Sequence, residues 1–301
     1  MRIPNIFIFG AGYSGKAFAR TNTGGAEVVG TTRSPEKFAV LRQAGIEPLL
    51  FDGSLNEGIT AALKATTHLV ISIAPDEAGD PVLNAASTMI REEMPALRWI
   101  GYLSTVGVYG DHGGDWVDET SACRPVSNRS RRRVDAERQW LDTGGERRVP
   151  TAVLRLSGIY GPGRNAFVNL TNGSAKRLIK PGQVFNRIHV EDIAGALWHL
   201  AAGEKGGVFN VTDDLPAPPQ DVVSHAAALM GIAAPPEIAF ETAELSPMAR
   251  SFYGENKRVS NAAVKREGYR FRFPDYRAAF EAMWQSGNWA DGEARSPMNP
   301  S

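Results

Sequence analysis

The chain predicts an α/β fold, a doubly wound parallel sheet followed by a smaller C-terminal lobe. Three observations predict it. Short apolar runs alternate with helical patterns over the first two thirds of the chain. Those runs are apolar at successive positions, which is how strands covered on both faces read. A glycine turn, Gly10-Ala11-Gly12-Tyr13-Ser14-Gly15, joins the first run to the first helix.

The elements follow in order. Ile3–Phe9 is the first strand, and Lys16–Arg20 begins a helix. Ala26–Thr31 reads as the second strand, and Pro35–Ala44 as a helix with proline in its first turn and Gly45 closing it. Ile46–Phe51 is the third strand, Ala61–Ala65 a short helix, His68–Ala74 the fourth strand, Asn84–Met94 a helix and Trp99–Thr105 the fifth strand. A helix over Arg133–Leu141 precedes the sixth strand, Thr151–Leu156. Glycine and proline dominate Ser157–Asn165, which marks the exit from the first lobe. Asn186–Val190 leads into an acid-capped helix, Glu191–Ala202, and Val208–Val211 is the final strand. Pro216, Pro218 and Pro219 open a helix over Gln220–Met230, and Pro235-Pro236 ends that region. Tyr276–Trp284 is the last ordered helix, with a fraying tail after Asn288. Residues 1–165 thus form the sheet domain, with 186–212 returning to it. Residues 166–185 and 213–290 form the second lobe, and 291–301 the tail.

Composition narrows the function. With 43% hydrophobic residues the chain buries a full core. Its 33 basic and 33 acidic residues cancel, which argues against nucleic acid or an anionic membrane as partner. No apolar run approaches the ~20 residues of a membrane span, and Met1-Arg2 leads straight into a strand, so a cytoplasmic location is expected. The single cysteine, Cys123, rules out an internal disulfide and reads as an incidental thiol; no metal site is expected.

On a parallel sheet ligands bind at the carboxyl ends of the strands, so the loops that follow strands carry the chemistry. In the glycine turn Gly10 turns sharply, Gly12 lets the backbone approach a pyrophosphate and Gly15 lets the helix pack closely. Tyr13, Ser14 and Gly15 open the helix, whose unpaired N–H groups favour phosphate. The second strand ends at Thr32-Arg33, where an NAD site would carry an acid. Arg33 can grip a 2′-phosphate, so NADP is expected over NAD; the alternative is a solvated arginine. Asp52, followed by Gly53, either accepts a bond from an adenine amino group or caps its own turn. Ala74 is small and leaves room for the middle of a cofactor.

With that turn, Leu103-Ser104-Thr105-Val106-Gly107-Val108-Tyr109-Gly110, the run Arg155–Gly163, Arg187-Ile188-His189-Val190-Glu191-Asp192-Ile193-Ala194, and Lys257–Asn261 with Gly268-Tyr269, the chain resembles the short-chain dehydrogenase/reductase superfamily. Its branch is the extended one of nucleotide-sugar epimerases and dehydratases, with an NAD(P)-binding Rossmann fold and a substrate lobe. The resemblance implies that Thr105 stands at the catalytic Ser/Thr position, with Ser104 beside the cofactor. It also implies a Tyr-x-x-x-Lys pair on the next helix. Anchored on Ala136-Glu137, those positions hold Arg129 and Arg133, and residues Pro125–Val134 contain neither tyrosine nor lysine. The turn departs as well, because Phe9 stands where extended members carry their first glycine. Both departures match the atypical members of the superfamily.

Arginine is a poor acid or base at neutral pH, so a proton must come from elsewhere. Tyr109 is the nearest candidate, with Asp111 and His112 behind it; the alternative is a packing tyrosine. Arg133 is retained as a cofactor contact, while Arg131 and Arg132 read as solvated. His189 lacks metal-ligand spacing. Arg164, Lys176, Arg177 and Arg187 offer cations to an anionic group such as a sugar nucleotide's phosphates, and Asn165 and Phe167 line the same cleft. Two functions remain open. One is an atypical NADP-dependent oxidoreductase or epimerase-like enzyme acting on a small polar or nucleotide-linked sugar substrate; the other is a dinucleotide-binding sensor without turnover. A monomer and a homodimer are both open, the helix Arg133–Leu141 providing only a thin apolar stripe of Val134, Trp140 and Leu141.

Overall fold

The computed structural model describes residues 4–22 and 24–290. Seven parallel strands form the main sheet: β1 (Asn5–Phe9), β2 (Glu27–Thr32), β3 (Glu47–Leu50), β4 (His68–Ile71), β5 (Trp99–Thr105), β6 (Thr151–Leu156) and β7 (Gly207–Val211). Their order is β7-β6-β5-β4-β1-β2-β3. The chain starts in the middle, winds to one edge and returns to build the other, which is the doubly wound topology expected.

Side-chain alternation explains the two cores. Ile6 and Ile8 of β1 pack with α1 (Tyr13–Arg20), α2 (Phe38–Gln43) and α6 (Val190–Ala202), whereas Phe7 and Phe9 pack with α3 (Glu57–Ala65), α4 (Pro81–Glu92) and α5 (Asn128–Arg147). Phe18 of α1 stacks on Trp198 of α6 at 4.4 Å, and the indole donates to the Phe18 carbonyl.

Caps set several boundaries that hydrophobic spacing misplaces. Helix α4 begins at Pro81, ahead of the expected Asn84, because Asp80 accepts the Val82 and Leu83 amides at 2.9 and 3.1 Å. Asn56 starts α3 earlier in the same way, by accepting the Ile59 amide. Ser127 caps α5, which runs over the whole arginine cluster and well past Leu141. Strand β4 stops at Ile71, short of the expected Ala74. Val134, Trp140 and Leu141 turn inward: Trp140 is fully buried and its indole donates to Asp80 at 3.0 Å.

Outside the main sheet lie short paired elements whose two or three residues show no period. Gly158–Tyr160 pairs in parallel with Arg187–His189, Arg177–Ile179 with Glu237–Ala239, and Trp116–Val117 with Arg258–Val259. Tyr160, Phe167, Tyr276 and Phe280 centre a separate core with the helices Pro219–Leu229 and Tyr276–Ser286. Trp289 is tied back through its carbonyl, which accepts from Gly163 and Asn165; the remainder of the expected tail, 291–301, lies outside the described residues. Among the described residues no helix is long and apolar enough to cross a membrane.

Candidate functional site

The glycine turn lies at the carboxyl end of β1, and its three glycines have different reasons to be there. Gly10 has φ +83°, and a Cβ on it would stand 2.7 Å from Ile73 Cγ1. Its amide donates to Thr31 Oγ1 at 2.9 Å, and the Ala11 amide to the Thr31 carbonyl at 2.8 Å. Gly15 packs against Ile8, which a Cβ would meet at 3.4 Å. Gly12 is different. A Cβ there would find only the Gly10 carbonyl oxygen within 4 Å, at 3.9 Å, so protein packing does not exclude a side chain. Gly12 also caps α1 with no side-chain hydrogen bond to the first-turn amides. An open cradle above a helix start that no side chain caps fits the pyrophosphate of a dinucleotide. Ser14 is buried, and the Tyr13 hydroxyl donates to the Pro162 carbonyl at 2.9 Å, which ties the turn to the loop leaving β6.

The next loops flank the turn. Thr32 Oγ1 accepts the Ser34 amide at 3.2 Å. Arg33 is exposed and forms no hydrogen bond or ion pair among the described residues. Asp52 Oδ1 accepts from the Ser54 hydroxyl at 2.7 Å and the Ser54 amide at 3.1 Å, bonds that lower the carboxyl pKa. That oxygen caps the turn through Gly53 at φ +112°, while Oδ2 has no partner among the described residues. Ala74 is exposed beyond β4. Gly10, Gly12, Thr32, Arg33, Asp52 and Ala74 therefore gather at the carboxyl ends of β1 to β4.

The residues expected to do chemistry are arranged otherwise. Thr105 is half-buried at the end of β5, where its hydroxyl accepts the Gly107 amide at 3.1 Å. Tyr109, expected as the proton source, is fully enclosed. Its hydroxyl donates to Asn210 Oδ1 at 2.8 Å and accepts from Arg155 Nη1 at 3.0 Å, and burial pushes its pKa up to about 12. That hydroxyl is engaged by Asn210 and Arg155, and a proton held so tightly is a poor one to transfer. Ser104, expected beside a cofactor, points inward and donates to Glu137 Oε1. Arg133, retained as a cofactor contact, is buried; its Nη1 donates to the Leu103 carbonyl at 2.6 Å and the Tyr102 hydroxyl at 3.1 Å. Arg129 is exposed, Arg131 bonds Asn128, and Arg132 pairs with Glu77 at 3.5 Å. Asp111 accepts backbone amides of Gly113 and Asn256, and the His112 ring bonds the Tyr109 carbonyl. Cys123 is half-buried, and burial raises its thiol, which makes it unreactive.

In the second lobe Arg164 is exposed, whereas Asn165 is buried and caps its own short helix by accepting the Val168 amide at 3.1 Å. Phe167 is fully buried in the lobe core. Lys176 donates to the Glu244 carbonyl, and Arg177 pairs with Glu237 at 2.7 Å. Arg187 is half-buried, its Nη1 held by the carbonyls of Phe185 and Ala217, each at 3.0 Å. Sequence reasoning missed Thr31, which holds the turn's amides, and the buried pair Arg155–Glu137 at 2.7 Å. A cation inside the otherwise apolar sixth strand was the available signal for that pair.

Comparison with known proteins supports the fold and the family. Residues 6–212 match the NAD dependent epimerase/dehydratase family. The chain is 27% identical over 289 residues to Protein YeeZ of Escherichia coli K12, covering 91% of this chain and 97% of that protein. It is 47% identical to a conserved protein of unknown function from Silicibacter pomeroyi DSS, with TM-score 0.86, covering 94% of this chain and 98% of the other. The human epimerase family protein SDR39U1, solved with NADPH, shares the fold at 18% identity and TM-score 0.69, over 93% of this chain and 99% of that one.

Proposed function

The chain belongs to the NAD dependent epimerase/dehydratase family, and from that premise we propose that it is an atypical short-chain oxidoreductase or epimerase-like enzyme using NADP in the cytoplasm. The observation that carries the cofactor choice is Arg33, exposed and unpaired at the end of β2 where an NAD site would carry an acid. A guanidinium in that place suits a 2′-phosphate, and Gly10, Gly12 and the first turn of α1 would hold the pyrophosphate. When bound, a nicotinamide cofactor supplies hydride transfer. This chain's own residues then orient the partner carbon: Thr105 stands at the end of β5 with a hydroxyl available to a carbonyl, and Arg164 and Arg187 offer cations to a small anionic or nucleotide-linked substrate.

The enclosure of Tyr109 favours a second reading, a dinucleotide-binding sensor without turnover. The inward packing of Trp140 leaves α5 little apolar surface to share with a two-fold partner, which supports a monomer. The test is a titration with NADPH and with NADH, followed by nicotinamide fluorescence. We expect NADPH to bind more tightly, and Arg33→Glu to weaken it by about tenfold or more while sparing NADH, the size of a charged hydrogen-bond pair. Preference for NADH would overturn the cofactor choice.

A further inference from the structure

The parallel pair Gly158–Tyr160 and Arg187–His189 sets a register in which Tyr160 stands opposite His189 and Gly158 opposite Arg187. Residues two apart on a strand share a face, so Arg187, His189 and Tyr160 lie together. The Tyr160 and His189 rings are 5.3 Å apart. Asp213, just beyond β7, closes this face: its amide donates to the Arg187 carbonyl at 2.7 Å. All four residues follow the carboxyl end of the sheet, where ligands of such folds bind.

Three of these groups are buried with a polar atom left over. The Tyr160 hydroxyl, His189 Nε2 and Asp213 Oδ2 have no hydrogen-bond partner, although the residues are only 7%, 1% and 2% exposed. Buried polar atoms are nearly always paired, so three orphans on neighbouring residues call for a partner. The fourth group is a cation without an anion. Arg187 forms no ion pair among the described residues, yet it and Asp213 are close enough for each to perturb the other's ionisation. The two carbonyls on Nη1 fix the guanidinium in place.

The protonation states choose the ligand. His189 Nδ1 accepts the Glu191 amide at 3.3 Å, and burial lowers the ring to about 4, so the neutral ring carries its hydrogen on Nε2. Burial raises Asp213 to about 8, against the Leu215 amide and Arg187 and with the repulsion of Asp275 and Asp214, so near pH 7 it is a neutral acid. Arginine, imidazole, phenol and protonated carboxyl all present hydrogens. Their common complement is an acceptor-rich group carrying one negative charge. A dianion such as sulfate would set its second charge near the carboxylates of Asp275 and Asp214.

We propose that Arg187, Asp213, His189 and Tyr160 form a subsite for the carboxylate of a small organic acid. The proposal rests on the reading that Arg187 faces the substrate. The test titrates the full chain at pH 6.5 with acetate, glycolate, L-lactate and inorganic sulfate, a dianion at this pH, by calorimetry, with NADPH and again without it. We expect a carboxylate to bind in preference to sulfate, and Arg187→Lys to weaken it by about tenfold while NADPH affinity is unchanged. Raising the pH through 8 should weaken the wild-type complex but not that of Asp213→Asn, which keeps a neutral donor in the same place. Absence of carboxylate binding, tighter sulfate binding, an unaltered Arg187→Lys or the same pH dependence in Asp213→Asn would each overturn the proposal. A wild-type chain that binds the acid but neither nucleotide would instead strike the cofactor reading.

Discussion

Replacing Glu137 by glutamine strands a buried cation. Arg155 Nη2 reaches Glu137 Oε2 at 2.7 Å and Nε lies 3.1 and 3.2 Å from the two carboxylate oxygens, with side chains only 8% and 5% exposed. Burial disfavours the guanidinium charge, yet the bonds to Glu137 outweigh it and hold Arg155 more firmly protonated than in water. In Glu137→Gln the charge would persist without its counter-ion. Breaking a buried pair on one side costs about 3–5 kcal/mol; the retained amide oxygen places this change near the lower end, at about 3 kcal/mol. Urea unfolding at pH 7 measures it as a shift in midpoint at constant slope. The double variant Glu137→Gln/Arg155→Met removes the stranded charge and should recover part of the loss, a coupling of about 1–3 kcal/mol. A loss below about 1 kcal/mol, or single changes that simply add, would refute the reasoning.

The other expectations concern the turn and the lobe. Gly10→Ala forces a side chain into φ +83° and onto Ile73, so it should lose about 1–3 kcal/mol of stability together with nucleotide binding. Gly12→Ala meets open space and should weaken nucleotide binding with a clearly smaller effect on stability; equal destabilisation of the two variants would count against the cradle. For pH dependence, His189 at about 4 against an ordinary 6.5 binds its proton less well folded than unfolded, so its contribution is lost as pH falls through that window. Asp213 at about 8 against 3.8 acts oppositely, and stability drains away as pH rises towards 8. The two offset each other below about 6.5, leaving a decline from there to 8 in the wild type. Asp213→Asn should abolish that decline in urea midpoints, and a wild-type curve flat over this range would contradict the assignment.

Local spacing made much of the fold legible. Apolar runs such as the four residues Ile6–Phe9 within β1 bury both faces, and that need is visible wherever the run occurs. β5 and β6 coincide with their apolar runs, Trp99–Thr105 and Thr151–Leu156. Caps such as Asp80 were written in the chain too, but reading them requires knowing that the side chain folds back onto its own helix. The three-residue strands of the lobe carried no period, because their partners, and not their own pattern, make them strands.

The candidate site divides along the same line. Gly10, Gly12, Gly15 and Arg33 were legible because a turn and the residue after a strand are local chemistry. The loss of Tyr and Lys at 129 and 133 was equally plain from the chain. Where Tyr109, Ser104 and Arg133 point was not, since their partners Asn210, Glu137 and Leu103 are 101, 33 and 30 residues away. The meeting of Tyr160, Arg187 and Asp213 belongs to the same class. Whether a polar side chain serves a ligand or the interior depends on which distant atoms pack around it, and packing between segments remote in sequence exists only in the folded chain.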